Sequence, residues 1–149
     1  MSLSIAPLNL QDEHQRSDLA KIYEESPLWM LRDLPPELFV QRWIEPCDHI
    51  WGGWVNDRIV ATVGVRHTPQ GQQLIGLCVR KATRRQGLAF ELMSAVLPNL
   101  EGRVFIDTRQ QASTDLLFDK LGFEKEELRK EEGGITWVRW EKMLPDLSS

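Results

Sequence analysis

The chain has 149 residues, 42% of them hydrophobic, which is enough for one domain (1–149) with a substantial core and too few for two. A formal charge of −4 argues against a nucleic-acid binder, which presents a broad basic face. No stretch approaches the roughly 18 to 20 apolar residues of a membrane span, the start MSLSIAPLNL has no basic leader, and Cys47 and Cys78 are too few for a disulfide framework, so the chain reads as cytoplasmic and independent of membranes.

Leu3 to Leu8 reads as a short apolar strand. Asn9 or Asp12 then caps a helix running to about Tyr23, with Leu19, Ala20, Ile22 and Tyr23 turned to the core. Ser26 to Pro36, SPLWMLRDLPP, is a loop too apolar for an idle surface connection, and it is expected to pack over the core. Glu37 to Ile44 forms a second short helix burying Leu38, Phe39 and Trp43, and Pro46 closes it. His49–Val55 and Arg58–Arg66 form a hairpin about Asn56-Asp57, in which Gly52, Gly53 and Gly64 mark bulges or close backbone approaches.

After a turn at Thr68 to Gln72 comes the strand around which the chain is organised. Leu74, Ile75, Leu77, Cys78 and Val79 are apolar at both parities, so both of its faces are covered, as in an interior strand. Beyond Arg80 the period becomes helical, with Ala89, Leu92, Met93, Val96 and Leu97 on one stripe until Pro98 stops it. The turn between, KATRRQGLA, leaves first-turn N–H groups without partners. An anion such as a phosphate satisfies such groups and the positive end of the helix dipole. Arg80, Lys81, Arg84 and Arg85 concentrate basic charge there on an otherwise acidic chain.

Arg103 to Asp107 is a strand expected to run parallel to the central one, since a right-handed helical crossover joins them, and the sheet should splay at that point. Ser113 or Thr114 caps a helix carrying Leu116, Leu117, Phe118 and Leu121, with Gly122 as its left-handed stop. Glu124 to Glu132 reads as a solvated edge or turn, and Gly134 to Leu144 as the closing strand.

VRKATRRQGLA, Val79 to Ala89, resembles the acyl-coenzyme A loop of the Gcn5-related N-acetyltransferase (GNAT) superfamily, with Arg84, Gly87 and Ala89 at its pattern positions. LFDKLGF, Leu117 to Phe123, resembles that superfamily's second motif. The resemblance implies an α/β (α+β) fold: a mixed, mostly antiparallel sheet of six or seven strands flanked by about four helices and splayed after the central strand. It further implies acetyl-coenzyme A as cosubstrate. Leu77, Cys78 and Val79 would lie along the pantetheine arm, Arg84, Arg85, Gln86, Gly87, Leu88 and Ala89 around the pyrophosphate, and Gln111 and Phe118 beside them. The loop 26–36 would wall the acceptor side.

Acetyl transfer to an amine needs a neutral amine, a polarised carbonyl and a proton for the departing thiolate. The resemblance gives the carbonyl a strand N–H near Cys78, but the superfamily's proton-donating tyrosine corresponds to Phe118, and Tyr23, the sole tyrosine, stands far away in the first helix. The central strand offers Gln73 and no carboxylate, which leaves Asp107 as the candidate catalytic base, weighed against a plain strand-end aspartate. His49 and His67 could also titrate near neutrality but read better as hairpin histidines. Cys78 in an apolar strand reads as core, since burial disfavours its thiolate. Cys47, Asp48 and His49 are adjacent and lack a second ligand cluster, so no metal is expected.

Two functions follow. The first is an acetyl-coenzyme A-dependent N-acetyltransferase acting on an amine of a small molecule or protein. The second is a non-catalytic acetyl-coenzyme A sensor, because Leu77 to Ala89 and the spacing of NDRIVATVGVR also resemble the PanZ (PanM) regulators. A deep acceptor pocket with acidic lining would favour the enzyme and a flat apolar patch the sensor. Six tryptophans are many for this length, and two lying together on the surface would mark a protein partner or homodimer interface.

Overall fold

The computed structural model describes residues 3–126 and 130–147. Its elements, in chain order, are β1 (Ser4–Pro7), α1 (Glu13–Glu24), α2 (Pro36–Phe39), β2 (His49–Val55), β3 (Arg58–Thr68), β4 (Gly71–Val79), α3 (Leu88–Val96), β5 (Gly102–Arg109), α4 (Ala112–Lys120), β6 (Glu124–Lys125), β7 (Lys130–Glu132) and β8 (Ile135–Leu144). The strands form one eight-stranded sheet in the order β1-β2-β3-β4-β5-β8-β6, with β7 also on β8. Among the described residues only β4 and β5 pair in parallel. This is the expected mixed, mostly antiparallel architecture. The added strands are the short β6 and β7, which lie in the stretch expected to be a solvated edge or turn.

Local chemistry sets the ends of these elements. Of the two candidate caps for α1, Asp12 is the one used: its carboxylate accepts from the N–H groups of His14 and Gln15. α2 does not continue as a regular helix but runs into a π turn, Val40–Ile44. That wider turn rotates the buried side, so Phe39, Val40 and Ile44 are buried while Leu38 and Trp43 are half-buried. The β2–β3 turn takes Asn56 to φ 56°, a left-handed conformation that asparagine tolerates. Gly52, Gly53 and Gly64 lie under the side chains of Leu8, Leu3 and Cys47, which a Cβ would strike, and the latter two also sit where the register of β3 slips against its neighbours. α4 starts earlier than expected, at Ala112, so Gln111 rather than Ser113 or Thr114 is its N-cap. Gly122 stops that helix at φ 81°, as its place predicts.

A core lies on each face of the sheet. One gathers Val63, Val65 and Leu74 with Leu92, Met93 and Val96 of α3 and Phe118 of α4. The other sets Ile59, Ile75 and Cys78 against Leu19, Ile22 and Tyr23 of α1 and Phe39 and Ile44. β4 therefore contributes to both cores, as an interior strand does. Burying Leu92, Met93 and Val96 contributes roughly 1.5 to 3 kcal/mol each, and fixes where the N-terminus of α3 points.

Candidate active site

The site begins with a bulge. β3 and β4 pair at Gly64↔Ile75 and again at Thr62↔Cys78, so the single residue Val63 faces both Gly76 and Leu77. Gly76 has φ 66°, and a Cβ there would come within 2.4 Å of the Tyr23 hydroxyl. That hydroxyl, fully buried, donates to the Gly76 carbonyl at 2.8 Å. Burial holds the Tyr23 pKa well above its ordinary value, so the donor stays protonated. On the other side, β4 and β5 pair only at Gln72↔Val104 and Gln73↔Phe105. Past those pairs the strands part. The opening is a cleft of about 700 Å³ that reaches the N-terminus of α3, one side of α4, and the loop after α1.

At the helix end, backbone forms the wall. Arg84 is extended, Arg85 takes φ 67°, and Gly87 caps α3 at φ 74°, ψ 16° with no side chain to offer. The first amides of α3 are thus left uncapped. A Cβ on Gly87 would meet nothing within 4 Å, so the space before those amides is open. Side chains anchor the turn from behind. Arg80 pairs with Glu25 (2.7 Å), whose carboxylate also accepts from the Lys81 N–H (3.0 Å). These two donors hold the Glu25 carboxyl below its usual range. Arg84 bends back onto the carbonyls of Val79 (3.2 Å) and Glu25 (2.7 Å). Its guanidinium therefore holds the turn to α1, and among the turn's cations Arg85 is the cleft-lining one with no such contact among the described residues.

The alternation of an antiparallel ladder decides which β4 amides face the cleft. Arg80 N–H donates to Val60 on β3 (2.7 Å), so Cys78 also turns toward β3 and the amides of Val79 and Leu77 turn the other way. Cys78 is 7% exposed within the α1-side core, its sulfur 2.7 Å from the Ser26 hydroxyl, and burial pushes its thiol up. That agrees with its reading as a core residue.

At the loop end, side chains form the wall. Residues 27–34 turn tightly, with Asp33 N–H on Leu28 and Leu34 N–H on Leu31, and Arg32 and Asp33 take φ 53° and 60°. Two successive non-glycine residues in left-handed geometry are costly, on the order of 1 to 2 kcal/mol each. Aromatic contacts hold them: Trp29 meets Trp137 edge-on at 5.8 Å, and the Arg32 guanidinium lies over Trp43 at 4.2 Å and Trp137 at 5.5 Å. This loop lines the cleft as well as packing over the core.

The structure brings Leu77, Cys78, Val79, Arg84, Arg85, Gly87, Leu88, Ala89, Gln111 and Phe118 to the same cleft, and leaves Gln86 exposed outside its lining. Gln111 donates its side-chain amide to the Thr114 hydroxyl (2.9 Å). Phe118, 1% exposed, is stacked on Trp140 and set edge-on to Phe123. Asp107 is the one carboxylate lining the cleft among the described residues, and both its oxygens accept from Arg139, at 2.6 and 2.9 Å. His49 and His67 stand ring to ring at 5.6 Å on the exposed hairpin, away from the cleft. Among the described residues, no three His, Cys, Asp or Glu side chains gather as a metal site. No tryptophan is exposed, and Trp51 and Trp54 pack against opposite cores. No described helix is long and apolar enough to cross a membrane.

Four contributors were missed from sequence. Gly76 hides in the apolar run LIGLCV, although a glycine inside a strand is a bulge signal. Tyr23 bonds a residue 53 positions away, and Arg32 meets Trp137 across more than a hundred, which no local pattern announces. Thr108, buried on β5 with no partner for its hydroxyl among the described residues, also lines the cleft.

The sequence matches the family described as "Acetyltransferase (GNAT) domain" over residues 23–144. No curated protein matches the chain. In fold it is similar to the ribosomal-protein-S18-alanine N-acetyltransferase of Escherichia coli (TM-score 0.72, 16% identity, 95% of this chain and 94% of that one). It is likewise similar to a Bacillus subtilis acetyltransferase in complex with CoA (0.69, 17%, 97% and 100%). A third similar structure is an aminoglycoside 6'-N-acetyltransferase complexed with coenzyme A (0.73, 13%, 96% and 98%). At such identities the likeness is one of fold.

Proposed function

Because the chain belongs to the acetyltransferase (GNAT) domain family, we propose that it is a cytoplasmic, single-domain N-acetyltransferase, carrying an acetyl group from acetyl-coenzyme A to an amine of a small molecule or protein. The observation that carries this reading is the parting of β4 from β5 beside the uncapped N-terminus of α3. An unpaired strand edge and a set of free amides, one continuous with the other, suit a ligand with an amide-bearing arm and a pyrophosphate. The open space before Gly87 and the cations Arg85 and Lys120 on the cleft wall fit the same ligand.

Bound acetyl-coenzyme A supplies an acyl thioester, which gives up its acyl carbon to an amine nitrogen and releases a thiolate. The chain's part is to hold and polarise. Amides of Leu77 and Val79 would donate to the arm and to the acyl oxygen. Arg84 engages the Val79 carbonyl, in the peptide that follows that amide, and so restrains the end of β4. Phe118 offers shape and no proton, so the thiolate's proton comes from water. Asp107 is the carboxylate available to take the ammonium proton through water, while Arg139 fixes its orientation.

The test is calorimetric titration with acetyl-coenzyme A, followed by free-thiol release with a panel of amines. Binding with release is expected. Binding without release from any amine would turn the assignment to a non-catalytic acetyl-coenzyme A sensor acting on a protein partner, and absence of binding would remove both readings.

A further inference from the structure

The acceptor end of the cleft carries a charge with no counterpart. The Arg32 guanidinium lines the cleft, and no ion pair holds it among the described residues. Its central carbon lies 4.2 Å from the Trp43 ring and 5.5 Å from the Trp137 ring, so the indoles flank it while it stays open to solvent. Stacking occupies the faces of a guanidinium and leaves the N–H groups at its edge, which are built for two parallel bonds to a carboxylate. Arg32 is exposed at the mouth of the cleft, on a backbone held at φ 53°. Beside it the wall is apolar: Trp29, Met30, Phe39 and Trp137.

The charge balance points the same way. Arg84, Arg85 and Lys120 line the turn and α4 side, where an anionic cofactor would meet them, while Arg32 stands alone at the loop. The carboxylate lining the cleft, Asp107, is already matched by Arg139. A polycationic amine would meet no free negative charge among the described residues and an unscreened positive one.

Resting on the transferase reading above, we propose that the acceptor is an amino carboxylate with an apolar side chain, an α-amino acid in its simplest form, whose carboxylate is bound by Arg32 and whose side chain lies on the tryptophan wall. Leucine and tryptophan are compared with their decarboxylated counterparts, 3-methylbutylamine and tryptamine, and with spermidine, by thiol release at saturating acetyl-coenzyme A. The acids are expected to exceed their counterparts in kcat/KM by about 10-fold or more, the discrimination of a charge-assisted hydrogen-bonded pair. Arg32→Gln should lower kcat/KM for the acids alone and bring that ratio toward one, with acetyl-coenzyme A affinity unchanged. Preference for spermidine or the decarboxylated amines, or equal loss for both members of a pair in Arg32→Gln, overturns the proposal. If acetyl-coenzyme A binds but no amine releases thiol, the transferase reading fails by itself. The anion site is then judged by titrating leucine and tryptophan into coenzyme A-loaded protein: binding that weakens about 10-fold in Arg32→Gln sustains it, and no binding to the unsubstituted protein overturns it.

Discussion

The cleft's helix end is made of main chain, with an uncapped α3 start, a left-handed glycine and a turn tied back through Arg80 and Arg84 to Glu25. Its loop end is made of side chains, a tryptophan pair and a stacked guanidinium on a strained loop. Backbone groups are common to all sequences, so the first end suits a ligand that is the same in every turnover. Side chains vary freely, and the second end suits the partner that distinguishes one enzyme from another. The two ends meet at the β4 bulge, which belongs to neither.

Substitutions separate the ends, and the largest effect should come where they meet. Gly76→Ala drives a Cβ into the Tyr23 hydroxyl at a left-handed position. A loss of about 3 kcal/mol in stability is expected by urea denaturation, with both binding functions impaired. Gly87→Asp comes next. Its carboxylate can cap the α3 amides itself, so helix content should survive while acetyl-coenzyme A affinity drops roughly 100-fold by calorimetry. Unchanged affinity would remove the pyrophosphate site from this turn. At the other end, Trp29→Ala should raise the acceptor KM by about tenfold and leave cofactor affinity alone. An equal loss at both ends would abolish the distinction between them.

Tyr23→Phe is a finer probe. It keeps the ring in the core and removes the donor to Gly76, so about 1 kcal/mol of stability should go. The smallest effect concerns pH. The Glu25 carboxyl lies below its ordinary value of 4.5 because Arg80 and the Lys81 N–H favour the ionised form. The stabilisation this adds is therefore complete above pH 4.5 and is lost as pH falls through the depressed value. Acetyl-coenzyme A affinity should weaken modestly over that acid range, and Glu25→Gln should flatten the dependence.

The difference between the ends also explains what could be read from the amino acids. β4, the basic turn and α3 are contiguous, so periodicity and one glycine suffice to place them. The parallel run of β5 could be anticipated because a helix joins it to β4, whereas the splay was implied by the resemblance to the superfamily. Arg32 and Tyr23 act through partners distant in sequence, and the register slip at Gly76 exists only when β3 is laid beside β4. The helix at 36–44 was visible as apolar text, but its π turn, which puts Val40 and Ile44 rather than Leu38 and Trp43 in the core, depends on packing against α1 and β4.

The parting of β4 from β5 places an unpaired strand edge in the middle of a sheet. Proteins usually keep such edges at the perimeter and blunt them with charge, proline or brevity, since an open apolar edge recruits strands from other chains. Here the run Leu74 to Val79 carries neither charge nor proline, and the bulge at Gly76 is what interrupts it. A ligand lying along it would do the work of a missing strand. By mass action the fraction of chains guarded against strand addition then follows free ligand concentration. On the proposed function, acetyl-coenzyme A would cover this edge as well as supply the acetyl group.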